Sequence, residues 1–246
     1  MTPDDPDQHL SRIMTLWSVV CKAHQGPQDA VAAAQRQLIE RYGGAIRRYL
    51  GGALRDPDAA DELFQEFALR FVRGDFRRAD PARGRFRDFL KTSLFHLIVD
   101  HQKRRRVRLA NLPSDTPDPA APSVDPCDDR TFVQSWRDEL LARAWDALAQ
   151  IERSTAQPYY AVLRFRAEHP DTRSPDMAAE LGRRLDRPLT ADGVRQILHR
   201  ARERFADLLL DEVTQSLQDP DADALEQELI DLDLLSYCRE TLNRRR

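Results

Sequence analysis

Large apolar residues recur along this chain at intervals of three and four positions, and this spacing limits the possible fold more than any other feature. The clearest case lies between residues 86 and 98, where the set is Phe86, Phe89, Leu90, Leu94, Leu97 and Ile98. Residues three and four apart lie on one side of an α-helix. The pattern therefore predicts a helix with one buried stripe, and its return in other segments predicts an all-α protein.

The same period places further helices before this one. We expect a short helix ended by Gly26-Pro27, a longer helix over 29–50, and a third over 58–72 after the turn Arg55-Asp56-Pro57. On the third helix the apolar side carries Leu63, Phe64, Phe67, Ala68 and Phe71, and the opposite side carries Asp58, Glu62, Gln65 and Glu66. That acidic side is either a solvated face or an interface, and the residues alone leave both open.

Helical patterns resume after residue 131. A helix with Trp136 and Trp145 comes first, and a second follows Pro158. Ser174 is expected to cap a third, which runs through Leu185, and Thr190 to cap a fourth. One more amphipathic helix is expected near the end, from the spacing of Leu225, Leu229, Leu232 and Tyr237.

The segment between the two groups of helices differs in composition. Residues 111–130 contain five Pro, five Asp and one Arg. Such a segment buries too little apolar surface to offset the entropy lost on ordering, so we expect an extended acidic linker. The sequence thus predicts an N-terminal extension with a short helix (1–27), a helical domain (28–108), the linker (109–131), a helix-turn-helix domain (132–217) and an acidic C-terminal extension (218–246).

Positive charge is concentrated in one stretch. Residues 73–108 hold twelve Lys or Arg against four Asp, although the whole chain carries a net charge of −3. A polyanion is the expected partner. Phe95 falls beside Arg87 and Lys91, and exposed aromatics next to cations suit single-stranded nucleic acid. The alternative is a solvated basic helix whose aromatic packs on a neighbouring helix.

The fourth helix of the second group also presents cations. Its apolar stripe leaves the outer face to Arg195, Gln196, His199, Arg200 and Arg202. Arg and Gln can read the edges of guanine and adenine in the major groove. An exposed basic helix in an ordinary bundle is the alternative.

The sequence gives no sign of a catalytic or metal site. Cys21, Cys127 and Cys238 lie far apart, and the six His are scattered without ligand spacing. No apolar run approaches the length of a membrane span, and the N-terminus is acidic where a secretory signal would be basic and then apolar. We therefore expect a cytoplasmic protein that is not an enzyme, has no cofactor and does not bind a membrane.

Two segments together resemble a known family. The stretch RYGGAIRRYLGGALRDPDAADELFQEFALRFVRGDFRRADPARGRFRDFLKTSLFHLIVDHQKRRR resembles region 2 of bacterial RNA polymerase sigma factors of the extracytoplasmic-function type, within the sigma-70 family. The stretch DMAAELGRRLDRPLTADGVRQILHRARERF resembles their region 4. The resemblance implies two small helical domains, a region 2-like bundle and a region 4-like helix-turn-helix, joined by the acidic Pro-rich linker.

The resemblance also implies partners and a function. The chain would bind core RNA polymerase through the clamp helices of the largest subunit and the flap of the second-largest subunit, recognise promoter DNA and promote melting. An anti-sigma protein is a further candidate partner. The residues implied for docking on the clamp helices are Asp58, Asp61, Glu62, Gln65 and Glu66.

The DNA contacts implied by the resemblance fall into two sets. The minus-ten element and the melting strand would meet the loop 74–83 and the helix after it, through Arg77, Arg78, Arg83, Arg85, Phe86, Arg87, Phe89, Lys91, Asp100, His101, Arg104 and Arg105. The minus-thirty-five element would meet Thr190, Arg195, Gln196, His199, Arg200 and Arg202. Two stretches depart from the family pattern, AEHPDTRSPD and LDRPLTADG.

Three other functions remain open at this point. A stand-alone helix-turn-helix regulator would bind duplex DNA without polymerase, and it would leave the acidic helix unexplained. A nucleic-acid-processing enzyme would require Asp and His residues to converge in space. A helical scaffold would show no dependence of any nucleic-acid interaction on salt or on its arginines.

Overall fold

The computed structural model describes residues 28–75, 85–110, 129–217 and 220–245. Within these ranges the chain forms helices and no strand, which confirms the all-α prediction. The helices are α1 (Gln28–Leu54), α2 (Pro57–Arg73), α3 (Phe86–Ala110), α4 (Asp129–Thr155), α5 (Tyr159–Glu168), α6 (Ser174–Arg184), α7 (Ala191–Ser216), α8 (Ala222–Asp231) and α9 (Leu235–Arg245).

The chain divides into two compact units. The first takes the described parts of Met1–Glu139 and Thr214–Pro220, and the second takes the described parts of Leu140–Val213 and Asp221–Arg246. The division falls inside α4. The expected short N-terminal helix and most of the expected linker lie outside the described residues, so the predicted domain limits stay predictions.

An aromatic cluster forms the centre of the first unit. The rings of Tyr42 and Trp136 stack with centroids 4.7 Å apart, and the ring of Phe86 lies 5.8 Å from that of Tyr42. All three side chains are buried. Burial of a side chain such as Phe contributes ~1.5–3 kcal/mol to stability. The cluster therefore fixes α1, the start of α3 and the start of α4 against one another.

Helix α2 begins and ends where its sequence signals lie. The Asp56 side chain accepts a hydrogen bond from the backbone N–H of Ala59 at 3.1 Å, and Pro57 occupies the first turn. At the other end Gly74 adopts a left-handed conformation with φ of 85°, and its N–H bonds back to the last turn. The turn predicted at residues 55–57 is confirmed, and the ends of α2 are fixed by local chemistry.

In the second unit, α5, α6 and α7 share a small apolar core. It contains Val162, Phe165, Met177, Ala178, Leu181, Val194 and Leu198. The Thr190 hydroxyl accepts a hydrogen bond from the Gly193 N–H at 3.0 Å, so the predicted cap of α7 is confirmed. Ser174 is different: it is the first residue of α6, and Arg173 occupies the cap position without a side-chain hydrogen bond. Ser174 is thus not the cap. The helix can begin one residue before the predicted start because a proline, which has no N–H, is tolerated anywhere in the first turn.

The C-terminal region contains two described helices where one was expected. Helix α8 starts with Asp221 as cap, and its side chain accepts from the Ala224 N–H at 2.7 Å. The chain then turns through Asp233, whose φ is 55°, before α9 begins. The left-handed residue ends the helical path. As a result Tyr237 leaves the expected buried stripe and is 66% exposed.

Candidate nucleic-acid interface

The acidic side of α2 faces outward. Asp58, Asp61, Glu62 and Gln65 are exposed, while Leu63, Phe64 and Phe67 on the opposite side are buried. Asp61 Oδ1 lies 3.9 Å from Arg47 Nε, but both side chains are more than half exposed, so this contact contributes little. Four of the five residues predicted to dock on a partner therefore form one accessible acidic face.

The fifth, Glu66, turns toward α3. Its carboxylate accepts hydrogen bonds from Arg70 Nη2 at 2.5 Å and from Arg104 Nη2 at 2.8 Å, and its side chain is only 24% exposed. Partial burial opposes ionisation, but these two hydrogen bonds outweigh it and lower the pKa of Glu66. Glu66 is thus held as an anion that joins α2 to the basic end of α3.

Arg104 therefore has a partner within the protein. Its guanidinium donates to Glu66, and that hydrogen bond raises the pKa of Arg104 above its ordinary value. A nearby pair, Arg70 Nη2 and Asp100 Oδ2 at 3.9 Å, bridges the same two helices. Arg104 remains 52% exposed, so a phosphate can still reach it.

The other predicted contacts on this part of α3 differ in exposure. Arg105 and His101 are half-buried, and the Nδ1 atom of His101 is buried without a hydrogen-bond partner among the described residues. Asp100 is exposed. The end of α3 thus offers Arg104 and Arg105, with Asp100 beside them.

The beginning of α3 does not present all of its predicted DNA contacts. Phe86 and Arg87 are buried, and Phe86 belongs to the aromatic cluster of the first unit. Phe89 and Arg85 are half-buried, and Lys91 Nζ lies 2.9 Å from Asp129 Oδ1. Phe86 and Arg87 are therefore not accessible to a strand in this structure. Arg77, Arg78 and Arg83 lie outside the described residues.

The outer face of α7 brings the second predicted set together. Arg195, Gln196, His199, Arg200 and Arg202 are all exposed. Arg195 forms an ion pair with Asp192, one turn earlier, and His199 Nε2 lies 3.8 Å from Glu203 Oε2. Thr190 is also exposed, but its hydroxyl is engaged in capping α7.

The sequence did not mark Arg166 on α5 as a structural residue. In the structure, its hydrogen bonds stabilise the turn before α6. Its Nη1 donates to the carbonyl oxygens of Pro170 and Thr172, each at 2.8 Å, and its Nη2 lies 3.6 Å from the sulfur of Met177. The acceptors are backbone atoms, which the sequence does not single out. In the sequence, only the position of Arg166 four residues before Pro170 pointed to this turn.

Two further arginines were also missed. Arg244 and Arg245, close to the end of the chain, form ion pairs with Glu203, Asp207 and Asp211 on α7. The spacing of the acidic residues by four positions was visible in the sequence. The sequence does not show that these acidic residues pair with Arg244 and Arg245, some forty positions later.

Among the described residues, no group of three or more His, Cys, Asp or Glu is placed to hold a metal ion. None of the helices in the described ranges combines the length and the apolar character that a membrane span requires.

Comparison with protein families gave one match. Residues 38–108 match the family model for Sigma-70 region 2, which is less than half of the chain. No curated protein and no solved structure matches the chain. The match covers α2 and most of α1 and α3, and therefore includes the acidic face and Glu66 with its two arginines. It supports a sigma factor of the sigma-70 family, with a role in transcription initiation, and a region 2 domain implies binding to core RNA polymerase and promoter DNA.

Proposed function

We propose that this chain is a sigma factor of the extracytoplasmic-function type, which binds core RNA polymerase, recognises minus-ten and minus-thirty-five promoter elements and promotes DNA melting. The observation that carries the proposal is the Sigma-70 region 2 match over residues 38–108, combined with an exposed acidic face on α2 inside that range. On this proposal the chain acts in the cytoplasm as a specificity subunit and is not an enzyme. An anti-sigma protein is a candidate regulator.

The docking surface is proposed as Asp58, Asp61, Glu62 and Gln65, which are exposed on one side of α2. It would meet the clamp helices of the largest polymerase subunit, where complementary charge would steer association. Glu66 is proposed to support this surface from behind, because its carboxylate is already bonded to Arg70 and Arg104.

The minus-ten surface is proposed at both ends of α3 and on the loop before it. Arg104 and Arg105 would meet phosphates at the upstream edge, with Asp100 and His101 beside them. Phe89, Arg85 and Lys91 would lie near the melting strand, together with the loop residues Arg77, Arg78 and Arg83. We leave out Phe86 and Arg87 because both are buried. Stacking and phosphate contacts would offset the few kcal/mol that extruding a base requires.

The minus-thirty-five surface is proposed on α7, with α6 and α7 as the helix-turn-helix. Arg195, Gln196, His199, Arg200 and Arg202 would enter the major groove, and Thr190 would hold the N-terminal end of α7 in place. Some of these side chains would contact only phosphates, which positions the helix without reading the sequence. The flap of the second-largest polymerase subunit would bind this unit.

The decisive test is binding to core bacterial RNA polymerase. The variant Asp61→Arg/Glu62→Arg reverses two exposed charges on the docking surface, and we expect it to lose co-purification with the polymerase and run-off transcription from selected promoters. A matched control, Asp138→Arg/Asp146→Arg, reverses two exposed acidic residues on α4 that are not part of the proposed surface. The control should bind normally.

Two results would count against the proposal. If folded wild-type protein does not bind core polymerase, its central claim fails. If wild-type protein binds duplex DNA tightly and selectively without polymerase, a stand-alone helix-turn-helix regulator becomes the better description, because the exposed cations of α7 would then be sufficient. Equal loss of binding in the test variant and its control would show an effect of net charge instead of a docking surface.

A further inference from the structure

The last helix, α9, is an integral part of the second unit. Leu232, Leu234, Cys238 and Leu242, in α9 and the turn before it, are all buried. Burial also raises the pKa of the Cys238 thiol to about 11. These residues lie outside the range that matches Sigma-70 region 2. The C-terminal region is therefore a fixed element next to α7 whose role the proposed function does not explain.

Helix α9 places two arginines over the acidic residues of α7. Arg244 Nη1 lies 3.1 Å from Glu203 Oε1, Arg245 Nη2 lies 3.3 Å from Asp207 Oδ1, and Arg245 Nη1 lies 2.7 Å from Asp211 Oδ1. Arg245 also donates to the backbone carbonyl of Asp207 at 3.3 Å. Burial opposes its charge, but the bonds to Asp211 and Asp207 outweigh burial and raise the pKa of Arg245.

The three acidic residues begin directly beside the proposed DNA-reading face. They follow His199 at steps of four residues, so Glu203 and Asp207 lie about 6 and 12 Å farther along the helix axis. His199 Nε2 is 3.8 Å from Glu203 Oε2. A helix surface turns by about 40° for each step of four residues, which places these carboxylates along one flank of that face.

A cleft confirms that α9 borders the same face. It has a volume of about 600 Å³, and His199 and Arg202 of α7 line it together with Tyr237 and Glu240 of α9. The end of the chain thus lies next to side chains that the proposed function assigns to the minus-thirty-five element.

We propose that Arg244 and Arg245 are positioning residues for DNA recognition, which neutralise the acidic flank Glu203, Asp207 and Asp211 and so allow the phosphate backbone to approach α7. This inference rests on the proposed function. Without the two arginines, the three carboxylates would repel the phosphates. At moderate salt, where the Debye length is ~8–10 Å, mainly Glu203 would act, because Asp207 and Asp211 lie about 12 and 18 Å from His199 along the axis. At low salt the Debye length rises to ~30 Å, and all three carboxylates would act.

The test uses the full chain bound to core bacterial RNA polymerase, with random-sequence duplex DNA as the probe, because repulsion by carboxylates acts on any sequence. Arg245→Gln uncovers Asp207 and Asp211, and we expect it to weaken binding about fivefold at low salt, with the difference fading at high salt. Arg239→Gln is the matched control, since Arg239 is exposed on α9, has no ion pair within the described residues, and carries the same charge.

A rescue experiment separates charge from structure. Adding Asp207→Asn/Asp211→Asn to the Arg245→Gln variant removes the uncovered charges, and we expect it to restore wild-type binding. Arg244→Gln should likewise be restored by Glu203→Gln. A purely structural role of the arginines would leave both combinations as weak as the single variants.

Each other outcome overturns the inference. Equal effects of Arg245→Gln and Arg239→Gln would reduce the result to net charge, and failure of the rescue would make the arginines structural. Stronger DNA binding by Arg245→Gln would mean that α9 obstructs α7. Co-purification of the same samples with polymerase distinguishes this inference from the proposed function. If the wild type binds polymerase but Arg245→Gln does not change DNA binding, only this inference fails. If the wild type does not bind polymerase, the proposed function is refuted.

Discussion

Replacing Glu66 by Gln tests the connection between the acidic helix and the basic helix. The substitution keeps the size and shape of the side chain but removes the charge that accepts from Arg70 Nη2 at 2.5 Å and Arg104 Nη2 at 2.8 Å. A hydrogen bond to a charged group contributes ~1.5–3 kcal/mol, and an exposed ion pair only ~0.2–1 kcal/mol. Because Glu66 is 24% exposed and Arg104 52% exposed, we expect a loss of about 1 kcal/mol in the free energy of unfolding.

The dependence on pH gives this prediction a second, independent signature. The pKa of Glu66 is lowered in the folded state from its ordinary value of 4.5, so its contribution to stability is present above that value. The contribution is lost as the pH falls through the lowered, folded-state pKa. Wild type and Glu66→Gln should therefore differ at neutral pH and converge in strong acid.

Urea denaturation followed by far-ultraviolet circular dichroism at several pH values measures both effects. Glu62→Gln is the control, because Glu62 is exposed on the same helix and acts on Arg104 only through space, without a hydrogen bond. Equal midpoints for the two variants at neutral pH would refute the reasoning. A difference that stays constant in acid would also refute it, since it would not come from the charge of Glu66.

Three further predictions concern the stability and the reactivity of the chain. Trp136→Ala should destabilise the first unit by ~3–5 kcal/mol, because it empties the centre of the aromatic cluster, and thermal unfolding measures the loss. Thr190→Ala should lower stability by ~1 kcal/mol through loss of the cap of α7, whereas Thr190→Ser should be nearly neutral, as chemical denaturation would show. Cys238 should react with a thiol reagent only after unfolding, because burial raises its pKa to about 11; absorbance measurements in a Cys21→Ser/Cys127→Ser background check this.

Helix positions were largely predictable because they depend on local features. The spacing of Leu63, Phe64 and Phe67 predicted both the existence of α2 and the side that is buried, and Asp56 and Gly74 mark its ends. Likewise the cap at Thr190 needs only the residues that follow it. Such features involve neighbours within one or two helical turns, so a single sequence contains them completely.

The predicted helix ends were wrong in two places. In one, two residues competed as the start of a helix, and in the other, a turn depends on one backbone angle. Ser174 and Arg173 both precede Pro175, and the start of α6 falls one residue earlier than the Ser-Pro pair suggested. The break between α8 and α9 depends on the left-handed conformation of Asp233, which an Asp residue permits but does not require. The apolar spacing across this break imitates one continuous helix.

The candidate site was predictable only as separate surfaces. The exposed cations of α7 and the exposed acidic residues of α2 follow from helical geometry. The bond between Glu66 and Arg104 joins residues 38 positions apart, and it depends on how α2 and α3 pack. Burial of Arg87 is a further case, because its charge suggested an exposed side chain, whereas the packing of α3 buries it.

The turn before α6 has a consequence for how freely the chain can vary. Arg166 fastens this turn through the carbonyl oxygens of Pro170 and Thr172, which are atoms that every amino acid possesses. Side chains at these two positions can therefore be exchanged without removing the acceptors. A deletion that shifts the carbonyls relative to Arg166 has no such tolerance. In this turn the length of the segment and one arginine therefore matter more than the side chains at positions 170 and 172.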